Sequence, residues 1–240
     1  MPRLFVADDL AAGASFALND GQAHYLCHVL RAKPGQSLRL FNGRDGEWCA
    51  VLREVTKKKV LVAVTEMTVP QMGVPNIHVL AAVVKKDAFE TMVQKACELG
   101  AASFRPVITD HTVVRRVNTQ RMAAIAQEAA EQCERLTVMD THDVAPWRAA
   151  LAALPEGTRV FTGVARSESV QSLTAALAGD IETPVAVLIG PEGGFSDAEK
   201  AEILQGIGHI TPVALGPRIL RADTALIAAL SLVQAYAGDW

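Results

Sequence analysis

The sequence predicts an α/β protein in which a small β-rich region precedes a domain with a mainly parallel sheet. After residue 76, short uncharged strands alternate with helix start signals. Among these strands, Val185–Ile189 is wholly apolar, as is typical of a strand buried on both faces of a parallel sheet. A glycine-rich turn follows this strand directly, and a helix start follows the turn. In α/β enzymes this order of elements builds a ligand crevice at the carboxyl ends of the strands.

The first 70 residues are predicted to form the β-rich domain. A helix near Ala23–Leu30 precedes three short strands, which are separated by Asn-Gly and Lys-rich turns. The strands are expected at Ser37–Phe41, Glu47–Leu52 and Lys59–Thr65. The segment Thr68–Asn76 then has two prolines, a glycine and no charge, which is typical of a linker. We therefore expect domains at 1–70 and 77–240, joined by a linker at 71–76.

Beyond the linker, helix signals follow the predicted strands Ile77–Val84 and Thr158–Thr162. Asp87 with Glu90 is expected to cap one helix, which ends at Gly100, and Asn118 to start the next. Their inward faces are predicted to carry Phe89, Met92, Val93, Ala96 and Cys97 in the first helix, and Met122, Ile125, Ala126, Ala129 and Cys133 in the second. Further helices are expected at Ser169–Leu177 and Ala222–Ala237. The last is apolar nearly all round, which fits a helix buried on both sides or a dimer interface.

The turn after Val185–Ile189 carries the clearest ligand signal. Gly190, Gly193 and Gly194 let a ligand lie against bare backbone, and Ser196 with Glu199 forms a capping box that starts a helix. The turn has no Gly-Lys-Ser/Thr and no Gly-x-Gly-x-x-Gly spacing, so it lacks both common phosphate-binding patterns. Its single charge, on Glu192, would repel a pyrophosphate. The turn suits a neutral or cationic ligand, although a tight strand-to-helix connection has the same signature.

A second loop of this kind occupies residues 213–225, where a strand ends in a Gly-Pro turn and a long apolar helix begins. We expect the two loops to lie side by side at one edge of the sheet. Together they resemble the motif pair of the RsmE family: Gly190-Pro191-Glu192-Gly193-Gly194, then Leu215-Gly216-x-Arg218-Ile219-Leu220-Arg221-x-x-Thr224-Ala225. Further matches are Gln94-Lys95-Ala96-x-Glu98-Leu99-Gly100, Glu128-Ala129-x-Glu131-Gln132-x-x-Arg135, and His28-Val29-Leu30-Arg31 with Gly35. The resemblance covers nearly the whole chain.

The resemblance implies a fold and an activity. RsmE proteins are SPOUT methyltransferases that use S-adenosylmethionine to methylate N3 of a uridine in 16S ribosomal RNA of the small subunit. It also implies a deep trefoil knot around the cofactor pocket, a PUA-like RNA-binding barrel at the N-terminus, and a homodimer. Two alternatives remain: a related SPOUT enzyme acting on transfer RNA or on ribose, and a non-catalytic RNA-binding protein. In place of the family's usual Thr-Glu-Thr-Ala, this chain has Ala-Asp-Thr-Ala at 222–225, and it lacks the proline-containing segment that usually follows Arg135.

The resemblance also implies site residues. Cofactor contacts are expected from Thr162, Gly163, Gly190, Pro191, Glu192, Gly193, Gly194, Leu215, Gly216, Ile219, Leu220, Arg221 and Thr224. Arg221, rather than Arg218, is expected to stabilise negative charge on the uracil oxygens. Glu192 or Asp223 is expected to accept the N3 proton. The alternative roles are orientation of the methionine amine for Glu192 and the N-cap of the last helix for Asp223. RNA contacts are expected from His28, Arg31, Lys57, Lys58, Lys59 and Arg135. A surface ion pair is the alternative role for Arg135.

Charge and composition agree with these expectations. The chain has a formal net charge of −3, but residues 1–70 hold nine Lys/Arg against seven Asp/Glu, and the remainder holds 14 against 19. The positive excess at the N-terminus favours an RNA-contacting face, although Lys57–Lys59 alone would fit a solvated hairpin turn. The four cysteines have no paired spacing, His24 and His28 lack further metal ligands, and no leader segment is recognisable. We expect a cytoplasmic enzyme without a metal.

Overall fold

The computed structural model describes residues 1–56, 59–163, 170–179 and 183–240. These residues form two compact units. One unit comprises Met1–Gly73 and Ala130–Val138; the other comprises Val74–Ala129 and Met139–Trp240.

The first unit is built on a five-stranded mixed sheet. Its strands are β1 (Arg3–Phe5), β2 (Ser15–Ala17), β3 (Ser37–Phe41), β4 (Glu47–Val55) and β5 (Val60–Val69), in the order β1-β3-β4-β5-β2. Only β1 and β3 pair in parallel. The three predicted strands are confirmed, with β4 and β5 longer than expected, while β1 and β2 were missed because three residues are too few to show a period.

The early helix of this unit is confirmed with altered geometry. Helix α1 (Asp20–His24) starts with a capping box between Asn19 and Gln22 and continues as a π-helical turn over Tyr25–Val29. Leu26, which lies in that turn, is fully buried among the strand residues of the sheet.

A buried arginine holds the returning segment 130–138 onto the strands of the same unit. Arg3 pairs with Glu47 at 2.7 Å, and both side chains are almost fully buried. The Arg3 guanidinium also donates to the carbonyl oxygens of Ala130, Glu134 and Arg135. Each of the three guanidinium nitrogens therefore has an acceptor, which offsets the cost of burying the charge.

The second unit contains the predicted parallel sheet. Its strands are β6 (Ile77–Ala82), β7 (Ser103–Ile108), β8 (Asp140–Thr141), β9 (Ala145–Pro146), β10 (Arg159–Gly163), β11 (Val185–Ile189) and β12 (Ile210–Val213). They follow the order β12-β10-β11-β6-β7-β8, with β9 also paired to β7, and every recorded pair is parallel. All five residues of β11 are buried, which confirms the expectation for that strand.

The helices of this unit are α2 (Lys86–Glu98), α3 (Thr119–Gln132), α4 (Trp147–Ala152), α5 (Leu173–Ala176), α6 (Asp197–Leu204) and α7 (Ala222–Ala237). The predicted inward face of α2 is confirmed, and so is Asn118 as the cap of α3, because its side chain accepts from the Arg121 amide. Met122, Ile125, Ala126 and Ala129 are buried, but Cys133 lies past the helix end and is only half-buried. Cys133 lies in the segment Ala130–Val138, which belongs to the first unit.

Two helix predictions were wrong in detail. Asp87 is not a cap, since the N-cap of α2 is Lys85 and Asp87 lies within the first turn. The helix expected at Ser169–Leu177 is reduced to the single turn of α5, capped by Ser172, and Ser169 lies outside the described residues. The residue pattern of a single sequence locates the first turn of a helix. It does not identify the N-cap, which is the residue with extended backbone just before that turn.

The final helix has the predicted bounds but two unequal sides. Leu226, Leu230 and Val233 are buried, whereas Ile227 and Tyr236 are exposed. Near its end, the buried Gln234 donates to the Leu99 carbonyl at 2.6 Å, which packs α7 against the end of α2. Among the described residues, no helix is long and apolar enough to span a bilayer. The trefoil knot that the resemblance implies stays a prediction.

Candidate functional site

Two loops and the end of a strand meet at the carboxyl edge of the parallel sheet and line a cavity. The loops follow β11 at Gly190 and β12 at Leu215, and the strand is β10, which ends at Gly163. The cavity is lined by Gly163, Leu188, Ile189, Gly190, Pro191, Glu192, Gly194, Phe195, Lys200, Leu215, Ile219, Leu220, Ala222 and Ala225. The expectation that the loops after β11 and β12 would lie side by side was wrong in one respect: β10 lies between β11 and β12, so a third strand supplies part of the wall.

The glycines of the loop after β11 are required by its geometry. A Cβ atom on Gly190 would lie 3.0 Å from a ring carbon of Phe195, which is buried beneath the loop. Gly194 has a φ of +68°, which L side chains rarely adopt. Its amide closes a tight turn by donating to the Pro191 carbonyl at 2.8 Å. The loop therefore presents bare backbone toward the cavity.

A fully buried carboxylate fixes the end of this loop. Glu199 accepts from the Ser196 amide at 2.9 Å and from the Asp110 amide at 3.0 Å. The first bond, with the Ser196 hydroxyl accepting from the Glu199 amide, is the predicted capping box and is confirmed. The second bond joins the start of α6 to the loop that follows β7.

Two further contacts tie that loop, residues 109–118, to the glycine loop. The Ser196 hydroxyl donates to the Asp110 carboxylate at 2.6 Å. His111 Nδ1 lies 3.1 Å from the Gly193 carbonyl and 3.2 Å from the Gly194 carbonyl, so it carries the proton and donates. Sequence analysis missed Asp110 and His111 because no local pattern marks residues that are paired more than 80 positions away.

The charged candidates lie around the cavity. Glu192 is exposed at the turn, and Lys200, which the sequence analysis did not single out, lines the cavity and lies 3.3 Å from Asp197. Arg221 is exposed and is itself the N-cap of α7, with no side-chain capping bond. Asp223 is therefore not the N-cap; it is the second residue of α7, and its carboxylate accepts from the Thr224 amide at 2.7 Å.

The remaining expected cofactor residues divide into two groups. Gly193, Gly216, Arg221 and Thr224 adjoin the lining segments without lining the cavity. Thr162 is buried, and its hydroxyl donates to the Leu188 carbonyl at 2.7 Å, across neighbouring strands. The Thr162 side chain thus fixes the floor of the site instead of facing it. All of these ligand assignments stay predictions.

Of the expected RNA-contacting residues, those that the structure describes lie in the first unit. His28, Arg31 and Lys59 are exposed, and the His24 and His28 rings lie 4.7 Å apart. Lys57 and Lys58 lie outside the described residues. Arg135 is half-buried and donates to the Thr137 hydroxyl at 3.1 Å. Among the described residues, no group of three or more His, Cys, Asp or Glu side chains is arranged to hold a metal ion.

Comparison with known protein families follows the division between N-terminal and C-terminal regions. Residues 72–234 match the family described as RNA methyltransferase domain, and residues 18–65 match the RNA methyltransferase PUA domain. The chain is similar to ribosomal RNA small subunit methyltransferase E of Rickettsia conorii, with 29% identity over 97% of this chain and 94% of the relative. It is 28% identical to the protein of the same name from Bacillus subtilis, over 97% of this chain and 96% of the relative.

Two solved structures resemble this one over nearly their whole length. One is a ribosomal RNA small subunit methyltransferase E from Neisseria gonorrhoeae bound to S-adenosyl methionine, with a TM-score of 0.87, 28% identity, and coverage of 100% of this chain and 99% of that chain. The other is a protein of Legionella pneumophila, described as a methyltransferase and complexed with the same cofactor, with a TM-score of 0.87, 30% identity, and coverage of 99% and 98%.

We predict that Glu199→Gln lowers the free energy of unfolding by about 1–3 kcal/mol, because one of its two amide donors then faces an NH2 group instead of an oxygen. Amide exchange at 109–112 and 190–196 should accelerate in this variant. Glu202→Gln is the matched control on the same helix: Arg148 holds the pKa of Glu202 below its usual range by a hydrogen bond, but both side chains of this pair reach solvent, so its loss should destabilise the protein much less than the loss of the Glu199 carboxylate. Equal effects of the two substitutions in urea denaturation would contradict the anchoring role of Glu199.

Proposed function

This chain belongs to the RsmE family of RNA methyltransferases, and we propose that it methylates N3 of a uridine in the 16S ribosomal RNA of the small ribosomal subunit, with S-adenosylmethionine as methyl donor. The observation that carries the proposal is the cavity lined by the end of β10 and the loops after β11 and β12, because a relative with the same fold over its whole length was solved with this cofactor bound. Uracil N3 as the target follows from the resemblance of the loop motifs to those of the RsmE family.

The residues around the cavity fit this cofactor. The bare backbone at Gly190 and Gly194 leaves room for a flat or extended ligand, and Leu188, Leu215 and Ile219 provide apolar walls. The Glu192 carboxylate suits a cationic group, and a sulfonium or an amine is cationic. When bound, S-adenosylmethionine supplies a methyl group on a positively charged sulfur.

To catalyse this reaction, the protein must align the methyl group with uracil N3 and stabilise the negative charge that develops on the uracil. Uracil N3 carries a weakly acidic proton that must leave before or during attack, and negative charge then spreads onto the uracil oxygens. We propose that Arg221 stabilises this charge, because its exposed guanidinium stands at the start of α7, beside the cavity-lining Leu220 and Ala222. Glu192 or Asp223 would accept the proton, since Glu192 lines the cavity and Asp223 lies in the first turn of α7, between the cavity-lining Ala222 and Ala225.

The first 70 residues are proposed to be a PUA-like RNA-binding domain, separable from the catalytic domain at 77–240. The match to the RNA methyltransferase PUA domain over 18–65 and the positive excess of residues 1–70 support this division. His28, Arg31 and Lys59 are exposed in it and available to phosphates. Arg135 is proposed as a further RNA contact.

We also propose a homodimer in the cytoplasm. Support for the dimer comes from the exposed apolar residues Ile227 and Tyr236 on α7 and from the family resemblance. Support for the location comes from the substrate, since ribosomal RNA is the target of the relatives by name. A fully active protein that sediments as a monomer at micromolar concentration would contradict the dimer.

Methylation of unmodified small subunits and of free 16S ribosomal RNA tests the proposal. With labelled cofactor, mass spectrometry should place one new methyl group on N3 of a uridine in at least one of the two substrates. Gly194→Val should abolish cofactor binding in calorimetry while the protein stays folded, because a branched side chain is forced into a strained backbone conformation at the cavity. Methylation of a ribose or of transfer RNA alone would favour the related SPOUT activity, and no transfer at all would favour the non-catalytic alternative.

For Arg221, we predict a loss of rate rather than of cofactor affinity. Arg221→Ala should slow single-turnover methylation by a hundred-fold or more, the order expected when one donor to a developing anion is removed. Arg221→Lys should recover only part of the rate, because an ammonium cannot reproduce the planar guanidinium. Arg218→Ala is the matched control on the same loop. If Arg221→Ala instead loses cofactor affinity and thermal stability at a near-normal rate, Arg221 anchors the loop.

For the N-terminal domain, we predict a change in the salt dependence of RNA binding. Reversing the charge of Arg31 and Lys59 to Glu should weaken RNA affinity and reduce the slope of log K against log salt by about 0.9 per lost contact on a duplex and about 0.7 on a single strand. Cofactor affinity serves as the internal control and should not change. An unaltered slope would place the phosphate contacts outside this pair of residues.

A further inference from the structure

A second concave surface lies at the same edge of the parallel sheet, outside the cofactor cavity. It is a groove of about 320 Å³ between α2 and α3, within the size range of small-ligand sites. Its floor is apolar and buried, and comprises Val83, Val84, Phe89, Val93, Met122 and Ile125. Its rim is polar, with Lys86, Glu90, Arg116, Asn118 and Arg121. Nothing in the activity proposed above uses this groove.

The groove and the cofactor cavity share one loop. Residues 109–118 begin at the end of β7, where Asp110 and His111 hold the glycine loop of the cavity. The same loop then supplies Val114, Arg116 and Val117 to the wall of the groove and ends at Asn118, which caps α3. In the sheet, β6 and β11 are direct neighbours, with Ala81 opposite Ile189. The groove begins at Val83, just beyond β6, so both surfaces lie at adjacent strand ends.

The charges of the rim favour an anionic occupant. Arg121 is paired with Glu90 at 3.2 Å and with Glu128 at 3.6 Å, and Lys86 lies 3.9 Å from Glu90. Arg116 has no ion pair among the described residues, and the adjacent Arg115 is likewise exposed. Val114 is 37% exposed beside them, so a cation and an apolar surface are presented together. This pairing fits a nucleotide, which has a negative phosphate and a flat base, better than it fits a purely apolar segment.

We propose that this groove binds an unpaired nucleotide of the RNA strand next to the target uridine. The proposal rests on the proposed function and deepens it. N3 of uracil is hydrogen-bonded in a base pair, so a uridine methylated at N3 must be unpaired and turned out of its stack. Its neighbours then lose stacking partners and need a new surface. The apolar floor accepts the neighbouring base, Arg116 binds its phosphate, and the loop 109–118 aligns the strand with the cavity.

The chain offers two matched pairs of substitutions to test the proposal. Arg116 lines the groove and Arg115 does not, although both are exposed arginines of the same loop. Val114 lines the groove, whereas Val113 is 91% exposed and does not line it. Each pair makes the same chemical change at neighbouring positions, and neither pair lies in the hydrophobic core.

The experiment measures KM and kcat for unmethylated small subunits or 16S ribosomal RNA, whichever the wild-type protein modifies, together with cofactor affinity. Arg116→Ala should raise KM for RNA about tenfold. It should also reduce the slope of log K for RNA binding against log salt by about 0.7, the value for one phosphate contact on a single strand. Val114→Glu should raise KM at least as much, because it places a carboxylate where the phosphate binds. Arg115→Ala and Val113→Glu should change KM much less, and cofactor affinity should stay constant in all four variants.

Equal effects within each pair would overturn the proposal, since they would indicate a diffuse electrostatic surface instead of a groove. Unchanged KM in Arg116→Ala and Val114→Glu would overturn it as well. A changed sedimentation coefficient with unchanged KM would make the groove a protein interface and would also overturn it. If the wild-type protein itself methylates no RNA, that result contradicts the proposed function and not the groove proposal alone.

Discussion

The loops at the carboxyl edge of the parallel sheet are held together by one buried carboxylate. Glu199 has no exposed surface, and its two oxygens accept amide hydrogens from Ser196 and from Asp110. A carboxylate out of contact with water is costly unless it is fully hydrogen-bonded, so these two amides are held in place strongly. Because Ser196 ends the glycine loop and Asp110 begins the loop after β7, one side chain sets the separation of both loops.

This arrangement would let the fold couple the cofactor to the nucleotide proposed for the groove. The glycine loop forms a wall of the cofactor cavity, and the loop 109–118 forms a wall of the groove between α2 and α3. His111 donates to carbonyl oxygens of the glycine loop, so a shift of one loop moves an acceptor of the other. If each ligand orders its own loop, each will bind more tightly in the presence of the other, and by the same factor.

Charge is distributed unequally between residues 1–70 and the rest of the chain. The N-terminal 70 residues have a positive excess, while the rest of the chain is acidic overall. Arg3, which is buried in the first unit, pairs with Glu47 and donates hydrogen bonds to backbone carbonyls. It therefore stabilises the fold and is not accessible to RNA. Arg31 and Arg116 are exposed and are the cations that we propose contact phosphates.

Local signals in the sequence determined the buried strand Val185–Ile189, the capping box at Ser196 and the bounds of the helix Ala222–Ala237, because each depends on residues within one or two turns of one another. They also placed the glycine loops at the carboxyl edge of a parallel sheet. Only the tertiary structure decided that β10 lies between the two loop-bearing strands, that Arg221 instead of Asp223 caps α7, and that Glu199 bonds to a residue 89 positions away. Such pairings are set by the packing of whole strands and helices, and no local pattern in a single sequence specifies which distant residues meet.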